Sequence, residues 1–251
     1  MQKMPETIEE VLQELDNIID QTVASNNFLG IFAYVYRRTT AQIKLAVENK
    51  TFEDNARMEK FDVAFANLYL AAYHSYQGRR PLSKSWQTAF DAQSERLTSI
   101  QHLIMGMNAH INLDLGVAAA AVMRGQSIQL IENDFRKVNQ ILADLTEEMQ
   151  ERLTKISPLM FVLDWIGEKT DEHIVNFSIR EAREQSWRNA QLIWALDDPG
   201  RQAGIDGVDE IVAGISAIVR SPRTRLSRFI LRWIAYFEEK NVGKIVGRLR
   251  E

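Results

Sequence analysis

Cysteine is absent from this chain of 251 residues, and proline occurs only five times. Without cysteine, disulfide bonds, thiolate nucleophiles and cysteine-ligated zinc or iron–sulfur sites are all excluded. Four of the prolines, at positions 81, 158, 199 and 222, fall between long stretches with helical periodicity. The longest apolar runs, such as Leu115–Met123, are too short to cross a bilayer. The first ten residues lack the apolar run of a secretory signal, so the expected location is the cytoplasm.

Several motifs that would indicate a known chemistry are also missing. The glycines at 200, 204, 207 and 214 are not followed by Gly-Lys-Ser/Thr, so they form no phosphate-binding loop. Neither His-Glu-x-x-His nor the Glu-x-x-His pairs of di-iron proteins occur. The net charge of −4 gives no reason to expect nucleic-acid binding.

What the chain does contain is helical periodicity from end to end. Apolar residues recur every three or four positions, and no alternating pattern bounded by hairpin turns occurs. Asp54 is placed to cap a helix that Gly78 ends. No internal repeat or linker marks a domain boundary. We predict an all-α fold, with residues 1–251 forming a single-domain bundle of roughly nine or ten helices around a buried polar cluster.

The most informative segment is residues 101–115, which read Q-H-L-I-M-G-M-N-A-H-I-N-L-D-L. It places His102, Gly106, His110 and Asp114 at intervals of four inside an otherwise apolar helix. On an α-helix, the two histidines lie about 80° apart and Asp114 lies about 40° beyond His110, so the side chains converge. Burying them without a purpose is costly, and a mid-helix glycine costs about 1 kcal/mol relative to alanine. Gly106 is therefore expected to make room for a ligand, an ion or a closely packed helix.

The spacing of His110 and Asp114 suits two chemistries. Residues four apart on a helix are able to bind one metal ion together, or the carboxylate orients the imidazole as a general base. A structural interpretation is also open, because buried His, Asn and Asp side chains often form networks that set helix register. Facing helices offer further side chains for a site at the bundle axis, namely Asp62, Asp134, Asn139, Arg183 and Trp187.

The run L-I-M-G-M-N-A-H-I-N-L-D-L at residues 103–115 resembles the central signature of an uncharacterised bacterial all-helical family, a domain of unknown function. Shorter stretches resemble the family in the same order, from Y-R-R-T-T at 36–40 to S-I-R-E-A-R-E-Q-S-W at 178–187. The likeness covers roughly residues 25–195, and it implies an all-α fold with a common polar site but no established activity. The residues that carry the family's polar signature are Asp62, Tyr69, His102, Asn108, His110, Asp114, Asp134, Asn139, Arg183 and Trp187.

Three functional hypotheses follow. In the first, the protein is a hydrolase-type enzyme with catalytic His110, Asp114 and Arg183, in which His102, His110, Asp114 and Asp62 bind a divalent metal ion that activates water. A metal-free version of this enzyme uses His110 as the base and Asp114 to orient it. In the second, a non-catalytic protein binds a small molecule, and in the third the cluster is structural. Further residues assigned to the pocket are Tyr69, Asn108, Asp134, Asn139 and Trp187.

Residues 220–251 differ in charge from the rest of the chain. They hold nine Lys or Arg and three Asp or Glu, a net charge of +6 that leaves −10 on the remaining residues. We predict a basic amphipathic C-terminal extension. Because the remaining residues carry the opposite charge, we expect its apolar stripe to dock on the body or to form a homo-oligomer contact rather than to lie on a membrane surface. That stripe consists of Leu226, Phe229, Ile230, Trp233 and Phe237, with Arg225, Arg228 and Arg232 beside or opposite it.

Overall fold

The computed structural model describes residues 3–142, 152 and 179–250, so the predicted break at Pro158 lies outside the described residues. Within them the protein is all-α, as predicted, and contains no β-strand. Ten α-helices have both ends in the described ranges. They are α1 Ile8–Ala24, α2 Leu29–Glu48, α3 Asn55–Gln77, α4 Lys84–Asp91, α5 Ser99–Ala109, α6 Leu115–Val122, α7 Ile179–Ala195, α8 Asp198–Arg220, α9 Arg225–Phe237 and α10 Val242–Arg250. Residues 132–142 are also helical.

Several helix ends follow directly from local capping residues. Asp54 caps α3 by accepting a hydrogen bond of 2.9 Å from the Arg57 N–H, and Gly78 follows the last turn of this helix, as predicted. A capping box opens α5, since the Thr98 and Gln101 side chains each accept a hydrogen bond from the other residue's backbone N–H. The start of α3 was readable from the sequence because Asp54 and its capping partner are only three residues apart.

Three buried carboxylates link elements that are distant in the sequence. Asp134 accepts two backbone hydrogen bonds just before α3, and Asp209 of α8 accepts two from the first turn of α4. Glu238, at the end of α9, accepts one from the Ser99 N–H at the start of α5. The backbone N–H groups of a first helical turn lack partners within the helix and favour a negative charge. These long-range caps therefore fix the positions of α3, α4 and α5.

The motif segment lies at the centre of the packing. It is not one continuous α-helix, because a π-helical turn, His110–Asp114, joins α5 to α6. α5 packs against α2, α4 and α8, while α6 packs against α3 and α7. With neighbours on so many sides, α5 buries nine of its eleven residues and has no solvent-facing stripe.

Gly106 of α5 makes room for an aromatic ring of α2. A Cβ atom at position 106 would lie 2.6 Å from Cγ of Phe32, a distance that side chains do not tolerate without movement. The same Phe32 ring lies edge-on to His110, with the ring centroids 5.7 Å apart. Of the three uses expected for this glycine, the structure therefore supports a closely packed helix.

The C-terminal extension consists of α9 and α10. α10 packs against α1 and α2 and buries Val242, Ile245 and Leu249. The first alternative for the α9 stripe, docking on the body, is wrong, since Phe229 is 69% and Phe237 is 61% exposed. The second alternative, a homo-oligomer contact, stays a prediction. Among the helices that the structure describes, none combines the length and the apolar character required to cross a membrane.

Replacing Gly106 with alanine tests the close approach of α2 and α5. Gly106→Ala is expected to lower the free energy of unfolding by about 1–3 kcal/mol, because the Phe32 ring must move. Gly214→Ala in α8 is the matched control: nothing lies within 4 Å of its added Cβ, so the variant should be more stable by up to about 1 kcal/mol. Urea unfolding followed by circular dichroism measures both, and a neutral Gly106→Ala would contradict the close packing.

Candidate functional site

The π-helical turn brings His110 and Asp114 into direct contact. Nδ1 of His110 lies 3.0 Å from Oδ2 of Asp114, and the indole N–H of Trp86 donates to the same oxygen at 2.9 Å. All three side chains are buried. The Leu115 N–H donates to the His110 carbonyl, which is the i to i+5 pattern of a π-helix. Such turns within α-helices are frequently found at functional sites.

Aromatic rings enclose the His110 imidazole. Phe65 stacks on it with 3.7 Å between ring centroids and 8° between planes, and Tyr36 lies edge-on at 4.3 Å. These rings keep water away from most of the imidazole and lower the local dielectric constant. The three further rings, with centroids between 5.7 and 6.1 Å from that of the imidazole, are those of Phe32, Tyr69 and Trp86.

Burial favours the neutral forms of both members of the pair. It lowers the pKa of His110 well below the usual value, so the imidazole is uncharged at neutral pH. Burial also raises the pKa of Asp114 well above its usual range, although the hydrogen bond from Trp86 offsets part of this rise. The negative charge of Asp209 adds to it.

Four buried polar atoms of the residues around this pair have no hydrogen-bond partner among the residues described: Nε2 of His110, the hydroxyls of Tyr36 and Tyr69, and Oδ2 of Asp62. Asp62 lies near enough to Tyr36 to raise the pKa of that phenol, after the larger effect of burial. Nearly all buried polar atoms in proteins are hydrogen-bonded, so these exceptions make the region the candidate site. We define the His110 cluster as Tyr36, Asp62, Tyr69, Trp86, His110 and Asp114.

Asn108 and Asn112 connect the π-turn to its neighbours. The Asn108 side chain donates to the Val212 carbonyl at 2.8 Å and to the Ser216 hydroxyl at 2.9 Å, both in α8. Asn112 donates to Asn108 at 2.9 Å, and Asn189 of α7 donates to the Asn112 carbonyl at 3.3 Å. Asn108, predicted as a pocket residue, thus holds the π-turn in position beside the His110 cluster.

Arg183, Asn139 and Trp187 form a separate group around Phe135. The Arg183 guanidinium lies 4.5 Å from the Phe135 ring centroid and donates to the Phe135 carbonyl and to Asn139. Trp187 packs on the same ring at 5.0 Å. Burial lowers the pKa of Arg183 to about 10. These contacts join α7 to residues 132–142, and the catalytic role predicted for Arg183 stays a prediction.

His102 and Asp134 also have neighbours of their own. His102 stacks on Phe28 at 4.7 Å, and burial lowers the pKa of its imidazole to about 4. Both carboxylate oxygens of Asp134 accept hydrogen bonds from the backbone N–H groups of Glu53 and Asp54, just before α3. Within residues 3–142 and 179–250, no three His, Asp or Glu side chains are gathered closely enough to hold a metal ion. In these residues the structure therefore does not bring together the predicted metal ligands, which are His102, His110, Asp114 and Asp62.

Four members of this environment were not among the predicted site residues: Phe32, Tyr36, Phe65 and Trp86. Tyr36 opens the Y-R-R-T-T stretch that resembles the family, and Phe65 lies four residues before Tyr69. Aromatic residues at helical spacing usually belong to the core, so periodicity alone does not separate them from packing residues. Their proximity to a polar residue of a different helix is a tertiary property.

Comparison with known proteins gives one match. A model described as a family of unknown function (DUF5995) matches residues 8–222. No curated protein and no solved structure matches the chain. The match confirms the resemblance to a domain of unknown function and extends it beyond residues 25–195 in both directions. It ends before α9.

Asp62→Asn is expected to change how stability depends on pH. Burial raises the pKa of Asp62 from 3.8 to about 7, so between these values the folded protein holds a proton that the unfolded chain releases. The contribution of Asp62 to stability is full below about pH 4 and is lost as pH rises to about 7. An asparagine side chain does not titrate, so the variant should gain on the order of 2 kcal/mol relative to wild type between pH 5 and pH 7. Urea unfolding at both pH values measures the difference, and a constant difference would contradict a buried, protonated Asp62.

Proposed function

Since the chain belongs to the DUF5995 family, whose function is unknown, we propose a function from the geometry of its site. The His110 cluster is a metal-free general-base site in which Asp114 orients His110 towards a small, largely apolar substrate. One observation carries this proposal. Nε2 of His110 is buried without a partner among the described residues, while Nδ1 of the same ring is held 3.0 Å from Asp114.

The two contacts to Oδ2 of Asp114 favour one tautomer of His110. An indole N–H only donates, so Oδ2 acts as the acceptor toward Trp86. A charged Asp114 carboxylate accepts a second hydrogen bond from Nδ1–H of His110 and leaves Nε2 with a free lone pair. Because burial raises the pKa of Asp114, this form gains population as pH rises. The base is therefore expected to become more effective from acidic towards alkaline pH.

The other members of the cluster fit a substrate with a carbonyl oxygen. Burial raises the pKa of the Tyr69 phenol, which keeps its proton available for donation. Asp62, with a pKa of about 7, offers a second O–H group below that pH. One base beside two O–H donors fits the attack of water on an ester. Nε2 of His110 takes the water proton as the new C–O bond forms, and the donors stabilise the negative charge on the former carbonyl oxygen. When the ester C–O bond breaks, His110 returns the proton to the leaving alcohol, and the acid is released. The surrounding rings favour small, apolar acyl groups.

The tautomer and the activity are tested together. Long-range proton–nitrogen spectra of ¹⁵N-labelled protein at alkaline pH should show His110 protonated at Nδ1 and unprotonated at Nε2, with His110→Gln providing the assignment. Hydrolysis of p-nitrophenyl butyrate should fall at least about 100-fold in His110→Gln, since general-base catalysis contributes about that much. Asp114→Asn, which keeps an acceptor for Trp86, should lose activity and the tautomer preference. Protonated Nε2 together with unchanged hydrolysis in His110→Gln would overturn the proposal.

A second candidate is a binding protein without catalysis, and the unpartnered hydroxyl of Tyr69 supports it equally. Either function requires that this hydroxyl serves a ligand rather than the fold. Tyr69→Phe should then leave the free energy of unfolding unchanged within about 0.5 kcal/mol, or raise it. Tyr34→Phe is the matched control, because the buried Tyr34 hydroxyl donates to the Leu249 carbonyl at 3.1 Å and its loss should cost about 1 kcal/mol. A comparable loss in Tyr69→Phe would indicate a structural role instead.

A further inference from the structure

Helix α9 carries apolar residues on two opposite faces. One face buries Leu231, Ile234 and Ala235. At about 100° per residue, the other large apolar residues centre on the opposite side of the helix. Five of them are between 47% and 69% exposed, while Ile230 is half-buried. We define the aromatic stripe as Leu226, Phe229, Trp233, Tyr236 and Phe237.

The stripe is a continuous patch rather than a set of single exposed residues. Phe237 lies 5.1 Å from the Trp233 ring and 5.2 Å from the Tyr236 ring, measured between centroids. Single exposed apolar residues are common on soluble proteins, but contiguous patches mark places where a partner or a membrane binds. Tyr and Trp, which the stripe contains, are the residues enriched at membrane–water interfaces.

Arginines lie along one edge of the stripe. Arg225, Arg228 and Arg232 lie between about 40° and 100° from Phe229 around the helix axis, and α9 contains no Asp or Glu. No described carboxylate forms an ion pair with any of these three arginines, although ion pairs are frequent elsewhere in the described part of the chain. The free positive charge therefore stands beside the apolar surface.

This pattern of charge distinguishes between possible occupants of the stripe. A second copy of the chain would bring another α9, which has rings but no anions for the arginines. The two acidic residues that follow α9 in the sequence are already engaged, since Glu238 accepts from Ser99 and Glu239 accepts from Lys240 and Asn241. An anionic lipid surface supplies both the anions and the apolar surface: its phosphate groups pair with the arginines, and its acyl chains contact the rings.

We propose that α9 docks this protein on the surface of an anionic membrane, with the aromatic stripe inserted at the level of the headgroups. The helix lies in the plane of the interface and does not span it. α10 anchors it to the body through Val242, Ile245 and Leu249. Both helices lie beyond residues 8–222, which match the family, so the docking element is separate from the His110 cluster. The positive charge of residues 220–251 also points the otherwise acidic body away from the lipid.

Vesicle co-sedimentation of the full chain tests the docking. Wild type should bind vesicles of phosphatidylcholine and phosphatidylserine, bind vesicles of phosphatidylcholine alone far more weakly, and dissociate at high salt. The double variant Arg225→Gln with Arg232→Gln should reduce partitioning roughly 30-fold, as expected for the loss of two basic residues at such a surface. Its control is Arg180→Gln with Arg188→Gln, which removes the same charge from exposed positions of α7 and should change binding little.

A second pair of variants tests the apolar part. Phe229→Ser should lower partitioning roughly tenfold or more, whereas Ile211→Ser, at a residue that is 67% exposed on α8, should not. Emission of Trp233, taken as wild type minus Trp233→Phe, should shift to the blue on binding. Absent vesicle binding, or equal binding to neutral vesicles, would overturn the proposal. So would a dimer, seen by analytical ultracentrifugation, that Phe229→Ser dissociates while vesicles have no effect.

Discussion

The hydrogen bond between His110 and Asp114 is the interaction on which the rest of this structure depends. Both groups are polar, both are buried, and they lie in a segment with helices packed on nearly every side. Burial alone would make them costly, so the fold surrounds them with compensating contacts. Trp86 of α4 donates to the carboxylate, Phe65 of α3 stacks on the imidazole, and a π-turn brings the two side chains together.

The surrounding helices are held in place by a related device. Asp134, Asp209 and Glu238 each accept backbone hydrogen bonds at or just before the start of a helix that is distant in the sequence. A carboxylate there replaces water for N–H groups that have no partner within the helix. The rigid frame leaves polar atoms of His110, Tyr69 and Asp62 without partners among the described residues. Unpartnered polar atoms of different helices that lie around one imidazole are what a binding site requires.

The two proposals assign catalysis and membrane docking to different parts of the chain. The His110 cluster lies in the part that matches the family, while α9 lies beyond it. Asp134 and Arg183 show why the predicted set of site residues is broader than the His110 cluster. Each was predicted as a site residue because it lies on a facing helix and in the polar signature of the family, yet Asp134 accepts backbone hydrogen bonds before α3 and Arg183 stacks on Phe135. From sequence alone, a buried charge with a structural partner and one that serves a ligand are indistinguishable.

Sequence alone determined the helical class, the capping of α3 by Asp54, the central position of residues 101–115 and the pairing of His110 with Asp114. All of these depend on periodicity or on residues within four positions of one another. Tertiary structure decided that Trp86 and Phe65 enclose the imidazole, that Gly106 faces Phe32 and that the four predicted metal ligands do not gather in the described residues. It also decided that the α9 stripe faces outward. Such features depend on which helices become neighbours, and the packing of many distant residues sets that arrangement.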